Sequence, residues 1–443
     1  MSDKWLFMTA SDLGRGIDFG EIDPVALTEC YLDAASNHRV SSRVYARLTE
    51  HRARAEAKAA KVRADMGQRR GLLDGVPISW KDLYDTAGVA TEAGSGLLKG
   101  RIPEVDAEVL HNATEAGTVC LGKTHMSELA FSGLGLNPVT ETSPCVNDLD
   151  AVAGGSSSGA ATSVAFGLAA AGIGSDTGGS VRIPAAWNDL VGLKTTIDRV
   201  SVKGAVPLCT RFDTVGPLCR SVEDAAHLLA ALEGGKPADL CGASLDGARL
   251  MILDTIAFDD IRPEPKAGFN SAVDRLKAAG AIVDHQNAPE IAEALALSGT
   301  LFASEAYGIW KDVIEANPAV MFPEILERFR SGAAISAPDY IAGWRRLEAL
   351  RALWGQRIAG YDAVILPTSP ILPPNAERLL TDSDYYVTEN LLALRNTRVG
   401  NLMGSAGITL PTGLPSTGIM FIGAPNSEER LLRLCTAAEN ALS

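Results

Sequence analysis

The stretch from Gly159 to Gly174 constrains this chain most: it is rich in alanine and glycine and is bracketed by Gly154-Gly-Ser-Ser-Ser-Gly159 and Asp176-Thr-Gly-Gly-Ser180. It contains Thr162 and Ser163 and falls short of the roughly 18 to 20 strongly apolar residues that a bilayer span needs. It reads instead as a buried helix, Gly159 to Ala171, leading into Gly172 to Asp176, and a chain of 443 residues is long enough to enclose it in a substantial core.

Strand and helix alternate along the rest of the chain, as in layered α/β folds. Asp23-Pro24, an N-cap followed by proline at the first helical position, opens a helix with apolar residues at Leu27, Cys30, Tyr31 and Ala34. A second helix is expected over Val44 to Met66, and a strand over Leu72 to Ile78 that delivers Lys81 close behind it. Helical Ala107 to Ala116 leads into the apolar run Thr118 to Leu121. Ser221-Val-Glu-Asp224 reads as a capping box, with Asp in place of Glu, for a helix Val222 to Leu232. Gly234-Gly-Lys-Pro237 then punctuates the chain. Beyond it come a βα unit (Leu250 to Leu253, Pro265 to Ala278), a helix-rich stretch from Leu301 to Gly360, strands at Ala363 to Leu366 and Gly418 to Ile422, and a final helix to Leu442 capped by Asn426.

Forty Lys and Arg against 54 Asp and Glu give a net charge of −14, so nucleic acid is not expected as a direct ligand. Met1-Ser-Asp-Lys-Trp lacks the charged and apolar regions of a signal peptide, and no membrane association is expected. Seven scattered cysteines without a C-x-x-C pair suit reduced thiols in a cytoplasmic protein. The six histidines lie singly, with no metal-ligand spacing, so no metal site is signalled.

Three candidate sites compete. Gly117-Thr-Val-Cys-Leu-Gly122-Lys123-Thr124 has P-loop spacing, but its intervening residues are apolar and β-prone and follow a helix, so the stretch is read as a strand. Gly155-Ser-Ser157-Ser-Gly159 matches the nucleophile elbow of α/β-hydrolases, an esterase reading with Ser157 as nucleophile and His227 or His285 as partner, although Asp150-Ala-Val-Ala is a poor preceding strand. The third is a constellation: Lys81 behind Gly75-Val-Pro-Ile-Ser-Trp, the loop Gly154 to Gly159, and Asp176-Thr-Gly-Gly-Ser180-Val-Arg182, with Ser156 and Ser180 24 residues apart.

In their order and spacing these three blocks resemble the amidase signature family of serine hydrolases, and the resemblance extends to Leu121-Gly-Lys-Thr124, Val191-Gly-Leu-Lys194, Arg199-Val-Ser201 and Ile365-Leu-Pro-Thr368. It implies an α/β amidase signature fold, a large mixed central sheet covered by helices on both faces. Residues 1–70 would be a helical segment packed on the core, 71–235 the catalytic core, and 236–443 an α/β part completing the same sheet and the substrate pocket. It implies amide hydrolysis by a Ser-Ser-Lys triad: Ser180 as nucleophile, Ser156 on a cis peptide as proton relay, and Lys81 as base.

A lysine can serve as base only if burial lowers its pKa from near 10.4 to roughly 7 or 8. Backbone N–H groups of Thr177, Gly178, Gly179 and Ser180 would form the oxyanion hole; Asp176, Arg182 and Ser157 would support the triad; and Trp187, Gly155 and Ser132 are candidate substrate contacts. The expected substrate is a small-molecule amide, and the cycle that the resemblance implies requires neither metal nor organic cofactor. The second reading within the family is the glutaminase component of a tRNA-dependent amidotransferase, and a homodimer is left open. Ser158, Thr195, Asp198 and His125 depart from the family pattern, as does the segment around Trp187 and Asp189, in ways that bear on loop geometry and substrate preference more than on the reaction.

Overall fold

A computed structural model describes residues 3–443. Eleven strands form in chain order: β1 (Tyr45–Leu48), β2 (Pro77–Lys81), β3 (Val119–Thr124), β4 (Ala171–Asp176), β5 (Val191–Lys194), β6 (Thr214–Cys219), β7 (Arg249–Leu253), β8 (Ile282–Gln286), β9 (Ala363–Pro367), β10 (Gly407–Pro411) and β11 (Gly418–Ile422). They make one mixed sheet in the order β1-β3-β2-β4-β6-β5-β10-β11-β9-β7-β8. Parallel triplets β3-β2-β4 and β9-β7-β8 flank an antiparallel centre, and β5 pairs with β10, joining strands from either side of Gly234.

Every residue of β2, β3, β4 and β6 is buried. Since successive strand side chains point to opposite faces, this part of the sheet is covered on both. The small-residue stretch explains part of that cover. Its helix, Ser158–Ala165, packs on β4 so closely that a Cβ at Gly172 would lie 2.6 Å from the Ala160 carbonyl oxygen. The helix ends six residues earlier than expected, because Phe166 caps it and Gly167 turns the chain with φ of +72°.

Several expected elements shift. Residues 45–48 form edge strand β1 rather than the first turn of a long helix, which is confined to Glu50–Asp65. Pairing with β3 and the Arg47 bridges to Asp82 (2.6 Å) and Glu92 (2.5 Å) override the Ala/Arg-rich composition there. The strand expected over Leu72 to Ile78 begins at Pro77 and ends on Lys81 itself, because Gly75 at φ +90° turns the chain and donates to the Gly117 carbonyl (2.9 Å). The capping box at Ser221 is half formed: Ser221 Oγ accepts from Asp224 N, but the Asp224 carboxylate accepts from Ala10 N, Ser11 N and Ser11 Oγ, pinning the helix Ala10–Asp18. Ser427, not Asn426, precedes the last helix, Glu428–Leu442; Asn426 sits at φ +59° with its N–H on Thr196 Oγ1.

The P-loop pattern is indeed strand, its Lys123 bonded to Tyr84 O and Thr91 Oγ1. Among the described residues, no helix is long and apolar enough to cross a membrane.

Candidate active site

β2 carries Lys81 to the end of a central strand, with β4 alongside, and there the two Gly/Ser loops meet it. Lys81 Nζ lies 2.7 Å from Ser156 Oγ and 2.8 Å from Ser175 Oγ. It is fully buried and has no ion pair among the described residues. Burial pushes its ammonium down to about 7, and the carboxylates of Asp176 and Asp213 only partly resist this. A neutral amine there can take a proton from either hydroxyl. Lys194 is likewise pushed down to about 7 by burial, but it donates to two backbone carbonyls, Thr195 (2.7 Å) and Ser405 (2.8 Å), and bonds to no hydroxyl among the described residues. Nothing in the sequence singles out Ser175, the second partner of Lys81, since β-strand serines carry no signal of their own.

Ser156 follows a cis peptide from Gly155. Gly155 N donates to Gly133 O (2.8 Å), and a Cβ there would lie 2.5 Å from Gly135 N. Gly155 therefore serves loop packing, and it does not line the pocket at Ser180 described below. Ser157 is fully buried, its Oγ bonded to Ser175 O (3.2 Å) and approached by Ser175 N (3.3 Å). Neither histidine of the elbow reading bonds to it; His285 pairs with Asp254 at the far edge of the sheet. Among the departures from the family pattern, Ser158 Oγ donates to the His125 carbonyl, and burial pushes the His125 ring down to about 4.

The second loop is held by a buried ion pair. Arg182 Nε and Nη2 donate to the two oxygens of Asp176 (3.0 and 2.9 Å), which also accept from Gly179 N (2.8 Å), Val181 N (3.1 Å) and Asn401 Nδ2 (2.8 Å). Burial alone would raise Asp176, but the Arg182 guanidinium outweighs it and holds the carboxyl well below the usual range. Arg182 reaches on to Thr397 O (2.7 Å), Asn401 Oδ1 (2.6 Å) and Met420 Sδ (3.1 Å). The two loops are joined by Ser157 N donating to Ser180 O (3.2 Å).

The backbone donors expected at the oxyanion hole differ in their partners. Gly179 N–H is committed to Asp176, while the amides of Thr177, Gly178 and Ser180 have no acceptor among the described residues. Gly179 is fixed sterically instead: its φ is +141°, and a Cβ would lie 2.1 Å from Thr397 Oγ1. At Gly178 the nearest atom to an added Cβ is 3.7 Å away. Gly179→Ala is expected to lower unfolding stability by about 1–3 kcal/mol, with Gly178→Ala close to the parent. Urea titration of both variants tests this, and equal midpoints would refute it.

Ser180, Thr177, Gly178 and Ser132 line one narrow pocket together with Arg328 and Arg398, its free volume about 20 Å³. Ser132 Oγ accepts from Tyr386 Oη (3.0 Å). Trp187, expected as a substrate contact or core filler, is fully buried outside this pocket, with Nε1 on Ile371 O (3.2 Å) and its ring against Gly154. A larger cleft of about 450 Å³, between Arg351, Trp354 and Arg430, holds none of these residues.

The family model described as Amidase matches residues 26–432. The chain is 34% identical over 434 residues to 2-amino-5-chloromuconic acid deaminase of Comamonas testosteroni, covering 95% of this chain and 93% of the relative. It is 31% identical to a glutamyl-tRNA(Gln) amidotransferase subunit of Anaeromyxobacter sp. (strain K), covering 97% and 95%. The X-ray structure of native peptide amidase from Stenotrophomonas maltophilia superposes with a TM-score of 0.81 at 26% identity, covering 98% of this chain and 97% of that one.

Proposed function

The chain belongs to the amidase family, hydrolases of carbon–nitrogen amide bonds, and from that premise we propose that it cleaves a small-molecule carboxamide through a seryl acyl-enzyme. The observation that carries this reading is the 2.7 Å contact between Ser156 Oγ and a lysine that burial holds at about 7.

In the proposed cycle Ser180 Oγ attacks the amide carbonyl while its proton passes through Ser156 to neutral Lys81. The amides of Thr177 and Gly178 receive the developing oxyanion. Collapse breaks the C–N bond, and Lys81 returns the proton through Ser156 to the departing ammonia or amine. Water, deprotonated by the same relay, then frees the carboxylate. Asp176 and Arg182 act by holding the turn that presents Ser180. The cysteines form no disulfide among the described residues, which fits a reducing compartment, and we read the enzyme as cytoplasmic.

Fluorophosphonate labelling with peptide mapping tests this reading. The adduct is expected on Ser180, is lost in Lys81→Ala, and forms faster as pH rises through about 7, because only the neutral amine can accept the proton. An adduct on another serine, or a rate flat across pH 5 to 9, would sink the Ser-Ser-Lys assignment. Similarity to an amidotransferase component keeps the glutaminase reading in second place. Glutamine hydrolysis that appears only with charged tRNA and the remaining amidotransferase components would reverse the order. Light scattering decides whether the chain is a homodimer.

A further inference from the structure

Two guanidinium groups face the Ser180 pocket with no counter-ion among the described residues. Arg398 opens the short helix Arg398–Leu402, and Arg328 projects from Pro323–Arg330. Among the described residues, Arg398 makes no hydrogen bond and no ion pair. Its side chain runs beside the turn before Ser180: a Cβ at Gly178 would lie 3.7 Å from Arg398 Cγ and 3.9 Å from its Nε. Arg328 gives Nη1 to the Phe131 carbonyl (2.7 Å), lies 4.4 Å over the Phe131 ring, and also has no ion pair among the described residues.

No carboxylate lines this pocket; its remaining wall is mainly apolar, with Phe131, Leu208, Phe302 and Leu394. Burial pushes Arg398 down to about 9, the like charge of Arg328 adding to the effect, and burial pushes Arg328 down to about 10. Two partly buried cations left together are unfavourable until an anion joins them. The chain as a whole carries −14, so this attraction for an anion is local to the pocket.

We propose that Arg398 and Arg328 grip a carboxylate of the substrate, so that the enzyme selects short amides bearing a free carboxylate, of which the monoamide of a dicarboxylic acid is the simplest. The proposal rests on amide hydrolysis at Ser180. A guanidinium fork suits a carboxylate because it can donate two parallel N–H bonds. The free space of about 20 Å³ at Ser180 holds little more than one water, so binding requires a side chain to move. Arg398, which no partner holds, is free to do so. An adjoining cavity of about 200 Å³ past Ala130, Thr177 and Leu208 offers mainly apolar room for the hydrocarbon part.

The test compares ammonia release from malonamate and succinamate with that from isovaleramide and isocaproamide, in which an isopropyl group replaces the carboxylate. The acids are expected to be favoured in kcat/KM by about 100-fold or more. Arg398→Gln should collapse that ratio mainly through KM, and Arg398→Lys should restore part of it. In parallel, calorimetry on Ser180→Ala should show succinate binding at least about tenfold tighter than isocaproamide, a preference lost in Ser180→Ala/Arg398→Gln.

Equal turnover of acids and isosteres, or a preference that survives Arg398→Gln, overturns the anion subsite while leaving amide hydrolysis standing. Succinate binding that depends on Arg398, without ammonia release and without a Ser180 adduct, keeps the subsite and overturns the hydrolytic reading. Equal binding of succinate and isocaproamide overturns the subsite whatever the activity.

Discussion

Ser180→Ala is expected to lower kcat on any amide the parent hydrolyses by about 10⁴- to 10⁶-fold, with Lys81→Ala falling into the same range. The two losses should coincide because the residues act as one unit. In the proposed cycle no acyl-enzyme forms without the serine, and without the lysine the proton of Ser180 has no acceptor, since Ser156 and Ser175 are hydroxyls and no histidine lines the pocket. The double variant Lys81→Ala/Ser180→Ala should therefore be no slower than either single one. Single-turnover ammonia release on all three, with circular dichroism to confirm folding, is the measurement. A Ser180→Ala enzyme that keeps a hundredth of the parent rate would remove this serine from the mechanism.

The second large effect is on stability. Arg182→Ala leaves Asp176 charged, fully buried and without its guanidinium, which is expected to cost about 3–5 kcal/mol. Asn401 and the two backbone amides still reach the carboxylate, but they are neutral dipoles and cannot offset its desolvation. Arg182→Lys should recover little, because a single ammonium cannot span both Asp176 oxygens and the Thr397 carbonyl.

The pH dependence has a definite sign. Asp176 is depressed in the folded state, so its contribution is complete above the unfolded value near 3.9 and is lost as pH falls toward the folded one. Urea titrations at neutral pH and near pH 3 should thus show the gap between parent and Arg182→Ala narrowing in acid. A gap that widens would mean the pair is not what stabilises the turn.

The meeting of Lys81 with the Gly/Ser loop that carries Ser156 was legible because the blocks are short and follow a fixed order. The Lys81–Ser156 contact also follows from the strand that ends on Lys81. The sheet flanks were legible too, since βα alternation leaves a local pattern, as at Arg249–Leu253 followed by Pro263–Ala278. Other parts depend on partners far along the chain. β1 is a strand only because β3 lies beside it, and Asp224 leaves its own helix for Ser11, which is 213 positions away. Arg328 and Arg398 come from helical segments whose local sequence says nothing of a pocket, and the commitment of Gly179 N–H to Asp176 is visible only in three dimensions.

The anchoring of Arg182 also bears on how the chain is made. Its contact with Met420 spans 238 positions, and its contact with Thr397 spans 215. At roughly 5–20 residues per second of synthesis, the serine turn waits on the order of 10 to 50 seconds on the ribosome before the residues that lock it have emerged. During that interval Asp176 and Arg182 already neutralise one another locally, while the carbonyl and amide that complete their shell are still unmade. A nascent chain stalled or cut before residue 397 would leave the turn at Ser180 without its final clamp, so that turn is completed only near the end of translation.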